Sequence, residues 1–595
     1  MNIDHYIALG ISLGVYLILS ISFYGWGRLL IRIVVGNTGQ HSATRHVSYI
    51  WLGWALTLLL FQILHLFFPI RYFVTFPVYM LGLIIGGIEI VRELRHEQLH
   101  RKIILLLFGI PFCLFAIWLA SRAMLAVNHY DAGLYYLSSI RWTNAYSIVP
   151  GLGNLHGRLA FNQSLFVYVA SLNVYPLFMN ARSLGNSFLL LLGIGTCFEF
   201  AGSKFKQLHD FRKLLQGSGL LCGLCALIFI WLSFASNGLS SSAPDLASSI
   251  LQIIMFIYYF KILDRHGSDA GLDYTDFLVL SLLAVTSVTV KLSNVAFGGA
   301  MFIVCAFLYM PQLLRKKAYA VAVVVLCGIV LIVHATRGYI LSGAPFYPST
   351  LGYIDFDWAM PRNAIAEDAR WVYSWARAPF ENVDSVLGNW HWLGSWSGRI
   401  LRMHTRMIYP VAGFVFTTLI GLGLICFRGG DAKLLIGRYF RLILPMISGL
   451  TFWFITAPDP RFAEGVFLLI LVAGCLFLSS AVQSLHKSST VFMAVSFLIV
   501  FLGGGHLFHW ILTHKWVVKR VSTTGWHDNL RAEFSERVTD SGLRVYVPVN
   551  DDRAWDGPLP GTPNFNPSLR LRRDGCMSSG FTVAPHMSGA VSPVD

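Results

Sequence analysis

Asp131, Asp245, Lys291, Arg337, Asp459 and Arg461 each adjoin a long uncharged run, where charge is costly to keep. Charges kept near membrane depth usually line a site or a cavity. These residue types suit transfer of a group from a lipid phosphate. A carboxylate takes the proton of an acceptor hydroxyl while Arg and Lys neutralise the departing phosphate. Arg fits that task because its planar fork donates two hydrogen bonds at once. Each residue also has a plainer use: Lys291 can snorkel, Asp245 can cap a helix, and Asp459 can pair with a neighbouring Arg. What favours a common task is that all of them fall on one side of the expected bilayer.

The richest stretch is 128–158, NHYDAGLYYLSSIRWTNAYSIVPGLGNLHGR. It sets His129, Tyr130 and Asp131 in a row, with Arg141, Trp142, His156 and Arg158 in the same loop. Asp131 is the candidate catalytic base, acting on a substrate at the membrane surface. It can equally serve as the N-cap of a helix beginning at Ala132, and the two roles are compatible. Candidate substrate contacts are His129, Tyr130, Arg158, Asp245, Lys291, Arg337, Asp459 and Arg461. Trp142, Trp390, Trp392 and Trp396 either stack on sugar rings or anchor the chain at the interface.

The elements that must position these groups are transmembrane helices. Apolar residues make up 55% of the 595 and charged ones 13%, with a mean hydropathy of +0.61. Soluble domains carry about 25% charge, so the chain is expected to be an all-α polytopic membrane protein. Its net charge of +15 fits basic loops facing the cytoplasm and anionic headgroups. The basic residues scatter over many loops, which argues against nucleic acid as a partner. Eight of the nine cysteines lie in apolar runs. Cys222 and Cys225 form a CxxC without His or acidic companions, and Cys576 alone is in a polar region, so no disulfide framework or redox motif is implied.

At about twenty apolar residues per span, the chain divides into about fourteen spans. They fall near 7–24, 47–68, 73–91, 103–120, 183–202, 217–235, 246–263, 277–290, 295–313, 318–335, 408–427, 439–455, 462–482 and 491–512. The first has no basic region before it and no cleavage site after it, so it is expected to be retained. The basic loop 92–102 is placed in the cytoplasm, which puts the Asp131 loop and both termini outside. Residues 161–179 hold Asn162, Gln163, Ser164, Asn173 and Pro176, and are expected to form an interfacial or re-entrant helix. The 277–290 and 295–313 runs form a tight pair hinged at 291–294.

Residues 1–512 thus make the membrane domain, with outer loops at about 122–182 and 336–406. The second loop is rich in Arg, and loops beyond about sixty residues escape the positive-inside rule. Residues 513–595 form an extramembrane appendix with a strand at 543–549, turns near Pro558 and Pro560, and a disordered end. No metal ligands are assigned. The Asp355-Phe-Asp357 pair stands alone, and His129 with Asp131 is too sparse for a metal site, so a divalent cation is left open. Asn162-Gln-Ser164 matches the glycosylation triplet, which is common by chance.

The bundle, with an Asp in the outer loop after an early helix, resembles the GT-C superfamily of glycosyltransferases. Four stretches are closer to a family of bacterial multi-pass membrane proteins: HYDAGLYYLSSIRW with VPGLGNLHGRLAFN, SGAPFYPS, APDPRF, and WDGPLPGTPNFNPSLRLR. The resemblance implies a GT-C-like bundle in the bacterial inner membrane, its site facing the periplasm. It implies a polyprenyl-phosphate-sugar donor, a glycan or lipid acceptor, and Asp131 as base. By the same analogy Asp245, Lys291, Arg337 and Arg461 contact donor phosphate or acceptor. Two departures stand out: about three more helices precede the acidic loop, and no DxD or ExD accompanies Asp131. The rivals are a polymerase or ligase using undecaprenyl-diphosphate glycans, and a transporter or flippase. Transporters favour paired halves with broken midplane helices, and neither half of this chain repeats the other.

Overall fold

In a bilayer the backbone must satisfy its own hydrogen bonds, so apolar runs close into helices. The computed structural model describes residues 3–36, 45–94, 100–205, 217–266, 271–426, 432–485 and 532–583. Among these are 19 α-helices and four short strands. Nine helices are long and apolar enough to cross a membrane, and four shorter apolar ones accompany them. The protein is therefore an integral membrane protein with multiple candidate spans. Of the expected spans, those near 217–235, 277–290 and 295–313 are shorter apolar helices. The run 491–512, the end of the chain and both termini lie outside the described residues.

Helix α1 (Ile3–Val34) runs well past its expected end at residue 24. Its polar extension is satisfied from α3 (Tyr72–Leu94), where Glu89 takes Arg32 at 2.6 Å and Arg28 at 3.1 Å. Packing of α1 on α2 (His46–His65) is close enough that a Cβ on Gly53 would lie 1.7 Å from the Phe23 carbonyl oxygen. Small residues let membrane helices approach at backbone distance.

Helix α4 (His100–Ala123) leads into a wide π-turn, Ala132–Tyr136, and then α5 (Leu137–Ala145). The ambiguous run 161–179 yields α6 (Ser164–Leu172), nine residues that are all buried. At 1.5 Å per residue this is about 14 Å, too short to cross. Helices Tyr274–Val290 and Val295–Leu308 form the expected hinged pair, joined by a 3₁₀ turn, Leu292–Asn294. Asn294 Oδ1 accepts from Gln252 Nε2 at 2.8 Å, pinning that hinge to helix Pro244–His266.

The expected strand in the appendix is present. β1 (Phe534–Val538) pairs antiparallel with β2 (Arg544–Pro548), and β3 (Leu569–Leu571) with β4 (Phe581–Val583). This module packs on the bundle. Phe581 is fully buried edge-on to Trp142, and its N–H donates to the Pro150 carbonyl at 2.9 Å.

Candidate active site

The site grows from the turn after α4. Asp131 has helical dihedrals and its side chain caps nothing, so it is not the N-cap that a helix starting at Ala132 would need. Helix geometry has already begun before it. The π-turn that follows is a wide i→i+5 coil of a kind found often at functional sites. It brings the Tyr136 hydroxyl to 3.5 Å from Asp131 Oδ2. The same oxygen accepts from Arg461 Nη1 at 3.3 Å. Oδ1 has no hydrogen bond among the described residues, and the side chain is 20% exposed. One oxygen is held and the other is open.

Arg461 is presented by the hairpin 457–463. Asp459 caps its 3₁₀ turn by accepting from the Arg461 N–H at 3.1 Å, and also faces the guanidinium at 3.6 Å. Trp396 Nε1 donates to the Pro458 carbonyl at 2.8 Å and steadies the hairpin. Burial works against the Arg461 charge, but Asp245, Asp459 and Asp131 outweigh it and hold its pKa above the usual value. The Phe462 ring takes Arg461 on one side at 4.8 Å and Lys291 Nζ at 3.9 Å. Lys291, at the hinge of the helical pair, bonds Asp245 on the first turn of helix Pro244–His266. So Asp245 and Lys291 neither cap nor snorkel: they pair, which is how charge is kept this deep.

His129 stacks on Tyr136 with ring centroids 5.5 Å apart, and its Nδ1 is buried without a partner. Burial, more than neighbouring charge, lowers its pKa. Tyr130 points away and donates to Asp552 of the C-terminal module, with its pKa pushed up to about 12 by burial and that carboxylate.

Arg337 and Arg158 do not join this group. Arg337 is buried at 4% exposure, donating to His65 Nδ1 at 2.8 Å and Asn162 Oδ1 at 3.2 Å. Both arginines line a cavity of about 40 Å³ with Trp142, Gln163, Phe161 and Phe166. Tyr135 and Tyr136 lie between the two places: Tyr135 contacts Phe161 and Phe166, and Tyr136 contacts Phe166. Packing of these rings, invisible in the spacing of charges, divides the expected single cluster.

Other sequence candidates have ordinary partners. Asp357 pairs with Arg572 at 2.6 Å and Asp355 accepts from Tyr353, so the lone DxD helps dock the C-terminal module. Asn162 is buried and donates to the His334 carbonyl, which leaves the glycosylation triplet inaccessible. Trp142 is buried, and Trp390 is exposed and stacked on Trp392. Among the described residues no three His, Cys, Asp or Glu side chains converge on a metal position. Asp131 and Asp245 are each committed to a cation. The mechanism proposed below uses no divalent ion.

The largest omission from sequence reasoning is the C-terminal module. The Trp555 N–H donates to the Gly133 carbonyl at 2.8 Å, and Ser138 Oγ to the Trp555 carbonyl at 3.2 Å. Asp556 takes Arg182 at 2.8 Å, and Arg141 donates to its carbonyl at 2.5 Å. The distinctive WDG at 555–557 was the available signal, but nothing local says that it meets the π-turn.

A many-helix membrane protein with a charged site at one end of its bundle is the class these residues define. The chain belongs to the family described as Domain of unknown function (DUF8201), matched over residues 11–468. No curated protein and no solved structure matches the chain. The matched region contains Asp131, Asp245, Lys291, Asp459 and Arg461.

Proposed function

We propose that the protein is a membrane glycosyltransferase. It moves one sugar from a polyprenyl-phosphate donor to a glycan or lipid acceptor outside the cytoplasm of a bacterial cell, with inversion. The observation that carries this reading is the state of Asp131, with Oδ2 fixed by Arg461 at 3.3 Å and Oδ1 open. A general base must be held while one lone pair faces the proton it takes.

In this reading the acceptor hydroxyl gives its proton to Asp131 Oδ1. Its oxygen attacks the anomeric carbon, and the bond from that carbon to the phosphate oxygen breaks with its electron pair. Arg461 and Lys291 take up the charge that grows on the leaving phosphate. A phosphate that draws Arg461 toward itself also loosens the pair with Asp131, so donor binding frees the base. Asp245 keeps Lys291 charged and in place.

The test is transfer from polyprenyl-phosphate sugars by protein in nanodiscs. Asp131→Asn is expected to stay folded and lose transfer, and substantial turnover by that variant overturns the role. A second reading, polymerisation or ligation of undecaprenyl-diphosphate glycans, draws on Trp371, Trp375 and Trp390, exposed along the connection 343–404 and suited to a long glycan. Use of the diphosphate-linked glycan and refusal of the monophosphate sugar selects it.

A further inference from the structure

The buried Arg337 has no acidic partner among the described residues. Its hydrogen bonds go to a histidine nitrogen and an asparagine oxygen, and Nη2 makes none among the described residues. Because His65 Nδ1 accepts from Arg337, the His65 proton lies on Nε2, which donates to the Tyr146 carbonyl at 3.1 Å. His65 is then neutral and adds no charge of either sign. Asn162 is locked by His334 at 2.8 Å, so it fixes the guanidinium without balancing it.

Arg158 lines the same cavity and its described contact is the Phe161 ring at 5.4 Å. The nearby carboxylate, Asp368, accepts from the Tyr347 hydroxyl and does not line the cavity. Two further polar groups of the lining are unused. Trp142 is 2% exposed and its indole N–H has no acceptor. Gln163 Oε1 is buried without a donor among the described residues. An indole donates only, and a guanidinium donates only. A cavity lined by two cations and an unspent indole N–H, without a carboxylate, is built for an anion. Leaving a buried charge uncompensated is strongly unfavourable.

We infer that the Arg337 cavity is an oxyanion site, separate from the Asp131 cluster, that takes a phosphate-type group between Arg337, Arg158 and the Trp142 indole N–H. Its volume of about 40 Å³ equals roughly three water molecules. That admits a phosphate group and excludes a sugar ring. Planar guanidinium donors and an indole N–H favour tetrahedral oxyanions over halides, since they present several directed hydrogen bonds. The phosphate belongs either to a free anion or to a lipid headgroup. The inference holds whether or not the Asp131 site transfers sugar.

The experiment uses full-length protein in neutral phosphatidylcholine nanodiscs. Binding of inorganic phosphate is measured by equilibrium dialysis, and binding of farnesyl phosphate by calorimetry. The wild type is expected to bind at least one of them with unit stoichiometry. Arg337→Gln is expected to weaken binding at least tenfold, and Trp142→Phe, which keeps the ring and removes the N–H, about threefold. Phosphate binding identifies a free anion, whereas binding of farnesyl phosphate alone identifies a lipid source. If Arg337→Gln does not fold, Trp142→Phe and Arg158→Gln carry the test. No stoichiometric binding of either probe overturns the site. So does binding that survives the cavity variants and is lost in Arg461→Gln, because it then belongs to the Asp131 cluster.

Discussion

Arg182 Nη1 lies 2.8 Å from Asp556 Oδ2, and the two side chains are only 8% and 5% exposed. One belongs to the turn before helix Gly185–Phe205, and the other to the C-terminal module. Breaking a buried pair by removing one partner typically costs roughly 3–5 kcal/mol. Asp556→Asn is expected to release the module while the bundle stays intact. Limited proteolysis should then cut within 532–583, and unchanged protection would show that other contacts suffice. Changing both partners, Arg182→Met with Asp556→Leu, should restore part of the protection.

Gly133 makes a second joint in the same seam. A Cβ there would lie 2.8 Å from the Trp555 ring and 2.9 Å from Arg553 Cβ. Gly133→Ala should therefore cost about 1–3 kcal/mol of overpacking and loosen the module much as Asp556→Asn does. Pairing it with Trp555→Leu should recover protection. A wild-type proteolysis pattern in Gly133→Ala alone would contradict the close fit.

Loss of a general base typically lowers turnover by about 10²–10⁴-fold. That is the expected effect of Asp131→Asn on transfer, with KM for the donor nearly unchanged. Arg461→Lys keeps charge but loses the fork, so KM for the donor should rise while kcat falls. Measuring both constants separates the base from the phosphate contact. Equal effects of the two variants on kcat alone would argue against the assigned division of labour.

His156 is half-buried with its Nε2 enclosed and unpartnered among the described residues, and burial, helped by the Arg158 charge, lowers its pKa from 6.5 to about 3. The folded form thus holds fewer protons than the unfolded form between those values, and stability falls as pH drops through that window. The slope is worth about 1.4 kcal/mol per unit at most. His156→Gln should flatten the dependence of Tm on pH between 6.5 and 4. An identical slope in the variant would assign the effect to other groups.

Much of the fold was legible because apolar runs of fixed length have few alternatives in a bilayer. The hinged pair around Lys291 and the non-crossing 161–179 run follow from polar residues inside apolar context, a local signal. The extension of α1 to Val34 was not legible, because Arg28 and Arg32 stay helical only with Glu89 of α3 beside them. Of the site, the common face of Asp131, Asp245, Lys291, Asp459 and Arg461 was readable from alternation of spans. Which of them touch was not. Arg337 sits at the same end, but Phe161 and Phe166 come between it and Asp131 through contacts that no spacing encodes. The N-cap, one of two readings of Asp131, is absent for a related reason. A π-turn, stabilised by packing of Tyr135 and Tyr136, looks in sequence like the start of any helix.

The hydrogen bond from Tyr130 to Asp552 spans 422 positions. Ribosomes add about 5–20 residues per second, so the turn bearing Asp131 waits roughly twenty to eighty seconds for its covering segment. During that interval Gly133, Ser138, Arg141 and Arg182 await their partners Trp555 and Asp556 at the bundle's end. Contacts so distant in sequence form late. The seam is thus the last part of the site to assemble, and a newly inserted bundle presents an open face that chaperones or proteases can read as unfinished.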